Sequence, residues 1–233
     1  MKLTWYGQAA FGIEARDGTF VVTDPYDPDK AGYRPFPTPA DLVVKSSSDD
    51  DYHDNDHLVP KREGARVIDA LELAEGEGVT ESHGIAVQAI EAGEHEDHPS
   101  GDPDRNAMYR LRIDGLEIGH MGDMGNDFSE AQLRFFEGID VLLAHAGGFP
   151  VISLAECRRV IEHVRPRLVV PMHFRTLALR PQTMHWIGAF VDEMGTGNVD
   201  FATRHTVEIT RETLPERPRS PDRPARSLVL AYR

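Results

Sequence analysis

The feature that most constrains this chain is a set of four short β-type runs that each end in residues suited to binding a metal. Ala40–Lys45 runs into SSSDDDYHDNDH, and Ile85–Ile90 into Gly93-Glu94-His95-Glu96-Asp97-His98. Another run closes on GHMGDMG, which holds His120 and Asp123, and Val169-Val170-Pro171-Met172 delivers His173. Loops held by a rigid sheet are the usual place for ligands gathered from distant parts of a chain. Each segment alone also fits a solvated loop, a turn-capping Asp or a satisfied core histidine.

The rest of the chain tells how such runs can be assembled. Lys2–Gly7, Ala10–Ala15 and Thr19–Asp24 are short, rich in Val, Thr, Phe and Tyr, and broken by turn residues, with Asp17-Gly18 as a hairpin signal. Ala65–Ile68 reads as a strand and Ala70–Glu75 as a short helix; a strand pair surrounds Asp114-Gly115. Later, strands alternate with helices. Capping boxes at Ser129/Gln132 and Ser153/Glu156 open two helices, the second over Leu154–Val164. Asp140–Ala144 and Arg167–Pro171 read as buried strands, Pro181 opens a helix running to Met194, and Val199–Thr210 returns to strand. Strands that first follow one another and then alternate with helices predict two packed sheets with helices outside. The expected organisation is one domain over residues 1–210, followed by a loosely attached Pro/Arg-rich arm with a terminal strand over 211–233. Its prolines at 215, 218, 221 and 224 recur every third residue.

Composition narrows the function. Of the 233 residues, 39 are acidic and 25 basic, a net charge of −14, so nucleic acid and acidic membrane surfaces are poor partners. The single cysteine, Cys157, excludes a disulfide scaffold and a Cys-rich zinc site. No apolar run is long enough to span a bilayer, and a cytoplasmic protein is expected. Eleven histidines, several beside carboxylates, favour a divalent metal bound through N and O atoms. A small-molecule substrate, greeted by Arg34, Arg105 or Arg175 if it is an anion, and a second copy of the chain are the expected partners.

The order MKLTWYGQAAFGIE, VVTDPY, ADLVVKSS, IGHMGDMG, DVLLAHAGG, VVPMHF resembles the metallo-β-lactamase-fold hydrolases, in particular the short members that include ascorbate-6-phosphate lactonase-like proteins. The resemblance covers roughly residues 1–177. It implies an α/β, four-layer αββα sandwich with its site at the edge of the two sheets. The family's Thr/Ser-His-x-His-x-Asp-His signature falls on Ser46-Ser47-Ser48-Asp49-Asp50-Asp51-Tyr52, so most of its imidazoles are replaced. Carried over position by position, the resemblance makes Asp51 and Asp123 the catalytic carboxylates. His95, Asp123 and His173 become metal ligands that meet in one cavity. Asp49, Asp51 or His53 completes the set, with His53 the first choice because an imidazole best restores what Ser47 and Tyr52 lack, and Asp24, His120 and His145 support it from behind. It implies one or two divalent ions, Zn²⁺ or Mn²⁺, and hydrolysis of a small ester, lactone or phosphoester. The alternative, which the lost imidazoles favour, is a degenerate relative that binds a ligand or partner without hydrolysing.

Overall fold

Alternation of side chains along short strands decides the architecture, because the central strands of the first sheet bury both of their faces. The structure, a computed structural model, describes residues 1–48, 50–97, 104–181, 183–220 and 224–232. Strands β1 (Lys2–Gly7), β2 (Ala10–Glu14) and β3 (Phe20–Thr23) form an antiparallel meander. A long connection carrying helix α1 (Pro28–Ala31) leads to β4 (Ala40–Lys45), which lies parallel to β3, and β5 (Lys61–Asp69) continues parallel to β4. Leu3, Trp5, Phe11, Ile13, Val21, Leu42 and Val44 face the main core. Their neighbours Tyr6, Ala10, Phe20, Val22 and Val43 face the opposite way, into a second cluster under Tyr26, Tyr33 and Phe36.

After helix α2 (Ala70–Glu75), strands β6 (Val79–Ser82), β7 (Ile85–Gly93), β8 (Arg105–Ile113) and β9 (Leu116–His120) pair antiparallel in sequence. Helix α3 (Glu130–Phe135), strand β10 (Val141–His145), helix α4 (Leu154–Val164) and strand β11 (Leu168–Met172) follow, and β9, β10 and β11 run parallel. Both β10 and β11 are buried along their whole length, as parallel strands covered on two faces require. Helix α4 presents Cys157, Val160, Ile161 and Val164, a helical i, i+3, i+4, i+7 stripe, to the core. Helix α5 (Ile187–Met194), β12 (Val199–Phe201), β13 (Thr206–Glu208) and β14 (Arg226–Val229) complete the described elements. The first sheet has the order β13-β1-β2-β3-β4-β5 and the second β12-β14-β11-β10-β9-β8-β7-β6. The predicted two-sheet α/β sandwich is therefore present.

Four local expectations differ from the structure. The helix expected from Pro181 begins only at Ile187. Upstream, backbone bonds from Arg175 N to His185 O (2.9 Å) and from His185 N to Gly147 O (2.8 Å) hold an extended segment against the domain. The stretch Val199–Thr210 is not one strand: β12 joins the second sheet and β13 the first. Strand β5 begins four residues earlier than expected because its first half is exposed and polar, which hides it from an apolar pattern. The described parts of the segment after 210 are bound into the domain. Strand β14 lies between β11 and β12, and Leu214 is buried. The Arg167 guanidinium donates to the carbonyls of Arg211, Leu214 and Pro215. Among the described residues no helix is long and apolar enough to cross a membrane.

Candidate metal centre

The strands of both sheets end at one edge, and there their polar residues converge. Asp24 follows β3 in a left-handed backbone conformation (φ 37°) and is fully buried. Its Oδ1 accepts from Ser46 N (2.9 Å) and from the Tyr109 hydroxyl (3.0 Å), and its Oδ2 from Ser46 Oγ (2.8 Å). Burial alone would raise the Asp24 pKa, but His120, His53 and Ser46 outweigh it and hold the carboxylate below its usual range.

The Asp24 Oδ2 also faces His53 Nδ1 at 3.1 Å. A proton on Nδ1 leaves Nε2 as the lone-pair nitrogen, the arrangement by which a carboxylate orients a metal-binding imidazole. His53 Nε2 stands 3.4 Å from Asp123 Oδ1, and His173 Nε2 stands 3.2 Å from the same oxygen. All three residues are buried, and neither His53 Nε2 nor Asp123 Oδ1 has a hydrogen-bond partner among the described residues. Donor atoms about 2.0–2.1 Å from a tetrahedral ion lie about 3.3–3.4 Å apart, so these three fit a divalent cation. Burial works against ionisation of Asp123, but the adjacent His53 and His173 rings outweigh it and hold its carboxyl well below the usual range.

Asp123 also belongs to a second group. Asp50, Glu94 and Asp123 each place an oxygen within 4.8 Å of the others. Burial raises both Asp50 and Glu94, and the Asp123 charge adds to it, pushing Glu94 up to about 7. Such crowding of carboxyl groups is relieved by a cation.

Local structure explains which residues reach this edge. The chain makes one helical turn after Asp50, with Asp54 N bonding to Asp50 O (3.0 Å). Asp50 and His53, three apart, share the inner side of that turn, while Asp51 points outward to an ion pair with Lys30. Asp51 is therefore exposed, which corrects its expected catalytic place, and Asp50 occupies the inner position. Asp49 and His98 lie outside the described residues.

His95 is the second correction. The buried side of β7 passes from Ile85, Val87 and Ala89 to Ala92, and Glu94 continues it. His95 turns away, packs on Phe149 (ring centroids 5.4 Å) and accepts from Asp97 N through Nδ1 (3.0 Å). The expected convergence of His95, Asp123 and His173 thus holds for the last two only.

The supporting residues are placed as follows. His120 Nε2 donates to Ala9 O (2.9 Å) and Nδ1 accepts from Gly122 N (2.9 Å), which fixes a neutral tautomer and the turn before Asp123. Gly122 is required in that turn: its φ is 61°, and a Cβ there would stand 2.3 Å from Ala107 O. His145 is fully buried, with its ring edge-on to His173 at 5.1 Å, and burial followed by the His173 charge keeps it neutral. Its two nitrogens have no partner among the described residues. Sequence reasoning missed Gln8. Its carbonyl accepts from His173 N (3.0 Å), and its side-chain nitrogen faces His173 Nε2 at 2.9 Å. Only its place in the tight Gly7-Gln8 turn hinted at a special role.

A cavity of about 350 Å³ opens above these groups. Its floor is Asp50, His53, Glu94, Asp123 and His173, and its walls include Tyr52, Pro150, Pro181 and Met184. Arg34, Arg105 and Arg175 do not line it. Arg105 pairs with Glu75 and Glu91, and Arg175 lies over the Trp186 ring.

Two packed sheets with a His/Asp centre at their shared edge define a metallo-β-lactamase-type fold, and comparison with known proteins agrees. The family model for the beta-lactamase superfamily domain matches residues 2–173, and the chain belongs to that family. A UPF0173 protein of Pyrococcus furiosus is 31% identical over 192 residues, covering 76% of this chain and 84% of the relative. A UPF0173 metal-dependent hydrolase of Opitutus terrae is 29% identical over 199 residues, covering 76% and 86%. Among solved structures, a metallo-beta-lactamase superfamily protein of Thermotoga maritima superposes with a TM-score of 0.73 at 25% identity, covering 100% of this chain and 99% of that one. The protein is a metal-dependent hydrolase of this superfamily.

Proposed function

We propose that His53, Asp123 and His173 hold a divalent ion and that the protein uses it to hydrolyse a small ester, lactone or phosphoester bound in the cavity above. The observation that carries this reading is the meeting of two buried atoms that have no hydrogen-bond partner among the described residues, His53 Nε2 and Asp123 Oδ1, beside His173 Nε2. Two imidazoles and a carboxylate suit Zn²⁺ or Mn²⁺. Asp50, Glu94 and Asp123 offer oxygen alone, which suits a second, harder ion such as Mn²⁺ or Mg²⁺. An ion at such a site supplies a Lewis acid and lowers the pKa of water toward about 7.

The chain's own groups do the positioning. Asp24 holds the His53 ring and its Nδ1 proton, Gln8 fixes His173 through its backbone, and the His120–Gly122 bond sets the turn that presents Asp123. The buried lone cysteine fits a cytoplasmic setting, and the net charge of −14 favours small-molecule substrates over nucleic acid.

Elemental analysis of the purified protein tests the reading, with stoichiometric Zn or Mn expected and full loss of it in His173→Ala. Metal retained by that variant at full occupancy would sink the assignment. A metal-free wild-type protein that cleaves no ester or phosphoester would make it a non-hydrolytic binder, in keeping with the imidazoles missing at Ser47 and Tyr52.

A further inference from the structure

Resting on the hydrolase reading, we infer that the substrate is an uncharged carboxylic ester with a compact apolar group, and that the cavity discriminates against phosphoesters. The first observation is what the walls are made of. Above the acidic and imidazole floor stand Tyr52, Pro150, Pro181 and Met184, with Gln8 turned to His173, Thr183 at the exposed side and Phe149 exposed beside Pro150. Among the described residues no Lys or Arg lines the cavity.

The second observation is where the basic side chains of the surrounding segments go. Lys30 pairs with Asp51, and Lys45 with Asp54 and Asp69. Arg175 stacks on Trp186, and Arg180 donates to Asp29 O. Each is drawn to an acid, a carbonyl or a ring, not to the cavity.

Charge then decides between substrate classes. Asp50, Glu94 and Asp123 bring three carboxyl groups to the floor. A single divalent ion against three carboxylates leaves one negative charge, and two divalent ions leave one positive charge. That matches the single negative charge that develops when a neutral ester is attacked, or that its carboxylate product carries. A phosphodiester enters already carrying one negative charge and a phosphomonoester up to two, and attack adds another to each; phosphate sites characteristically add Arg forks or helix N-termini, which are missing from these walls among the described residues. The walls instead reward burial of apolar surface, at about 25 cal/mol per Å². A volume of about 350 Å³ sits at the low end for small-molecule sites and suits an acyl or alcohol group of a few carbons. In the overall reaction water adds across the acyl C–O bond: the carbon keeps the hydroxyl, the departing oxygen takes a proton, and a carboxylic acid and an alcohol result.

Three chromogenic substrates with one leaving group provide the test: 4-nitrophenyl butyrate, 4-nitrophenyl phosphate and bis(4-nitrophenyl) phosphate, each with Mn²⁺- or Zn²⁺-loaded protein. The expected kcat/KM for the butyrate exceeds both phosphates by about 100-fold, the scale of an uncompensated like-charge contact. Thr183→Arg, at an exposed position of the lining, should narrow that ratio at least about tenfold. Met184→Ala should raise KM for 4-nitrophenyl butyrate more than for the shorter 4-nitrophenyl acetate, assayed as a control. Metal content and melting temperature of each variant separate altered specificity from misfolding. In parallel, calorimetric titration of the loaded wild-type protein with butyrate and with inorganic phosphate reads the cavity without turnover, and butyrate is expected to bind more tightly. Preference for either phosphate substrate overturns the inference and leaves the hydrolase reading intact. Tighter butyrate binding with no hydrolysis of any substrate supports the cavity's selectivity and overturns the hydrolase reading. No hydrolysis together with equal or weaker butyrate binding overturns the inference.

Discussion

At the scale of single residues the site rests on a few buried groups that no exposed pattern could reveal. Asp24 is the clearest, since one carboxylate accepts from Ser46, Tyr109 and His53. Asn keeps its shape and tolerates the left-handed backbone at φ 37°, so Asp24→Asn removes charge with little strain. We expect it to lower metal affinity about 10- to 100-fold, measured by competition with a chelating dye; unchanged affinity would detach Asp24 from the centre. Tyr33 gives a prediction remote from the metal. Burial pushes its phenol up to about 12, although the hydroxyl bonds to Thr176 Oγ1 at 2.9 Å. The unfolded chain then loses that proton first, at about pH 10. The stabilising effect is complete below pH 10 and disappears as pH rises toward 12, on the order of 2 kcal/mol. Urea midpoints compared at about pH 9 and pH 11.5 check it, and Tyr33→Phe should flatten part of the difference.

At the scale of elements, the terminal strand is the most consequential. A Pro-rich stretch followed by an apolar strand reads as a detachable arm, yet β14 pairs with both β11 and β12. Its pairing was invisible because parallel partners are chosen by what is left uncovered in the sheet, not by local turn chemistry. Strand β11 carries His173 at its end, so β14 also braces the site. A chain ending at residue 210 loses the buried Ser227, Val229 and Leu230 and exposes the edge of β11. Burying Val229 and Leu230 alone is worth about 1.5–3 kcal/mol each. The expected outcome is a sharp drop in soluble yield or in the urea midpoint, and an unchanged midpoint would show the segment to be dispensable. The strand alternation in β1 to β4, by contrast, was legible because short apolar runs between turn residues leave few other arrangements.

At the scale of the whole molecule, both sheets meet at the candidate centre. Tyr109 reaches Asp24 and His120 reaches Ala9 across the sandwich. An ion bound there would therefore hold the two halves together as well as serve chemistry. Removing it with EDTA should lower the melting temperature by about 10 °C, from about 4 kcal/mol of linkage at a ligand concentration 1,000-fold above Kd. Restored melting on adding Mn²⁺ or Zn²⁺ completes that test, and a melt insensitive to EDTA and metal contradicts it. The sequence by itself determined the two-sheet α/β architecture, and it pointed to the strand ends, with Asp123 and His173, as the candidate site. Those features are local: apolar period, turn residues and the segment order resembling a known family. It did not determine which neighbour points inward. Asp50 and His53 face the centre because one helical turn puts residues three apart on one side, and Glu94 replaces His95 because the buried side of β7 changes along the strand. A shift of one residue reverses a side chain's direction in a strand, and only packing of the two sheets fixes that phase.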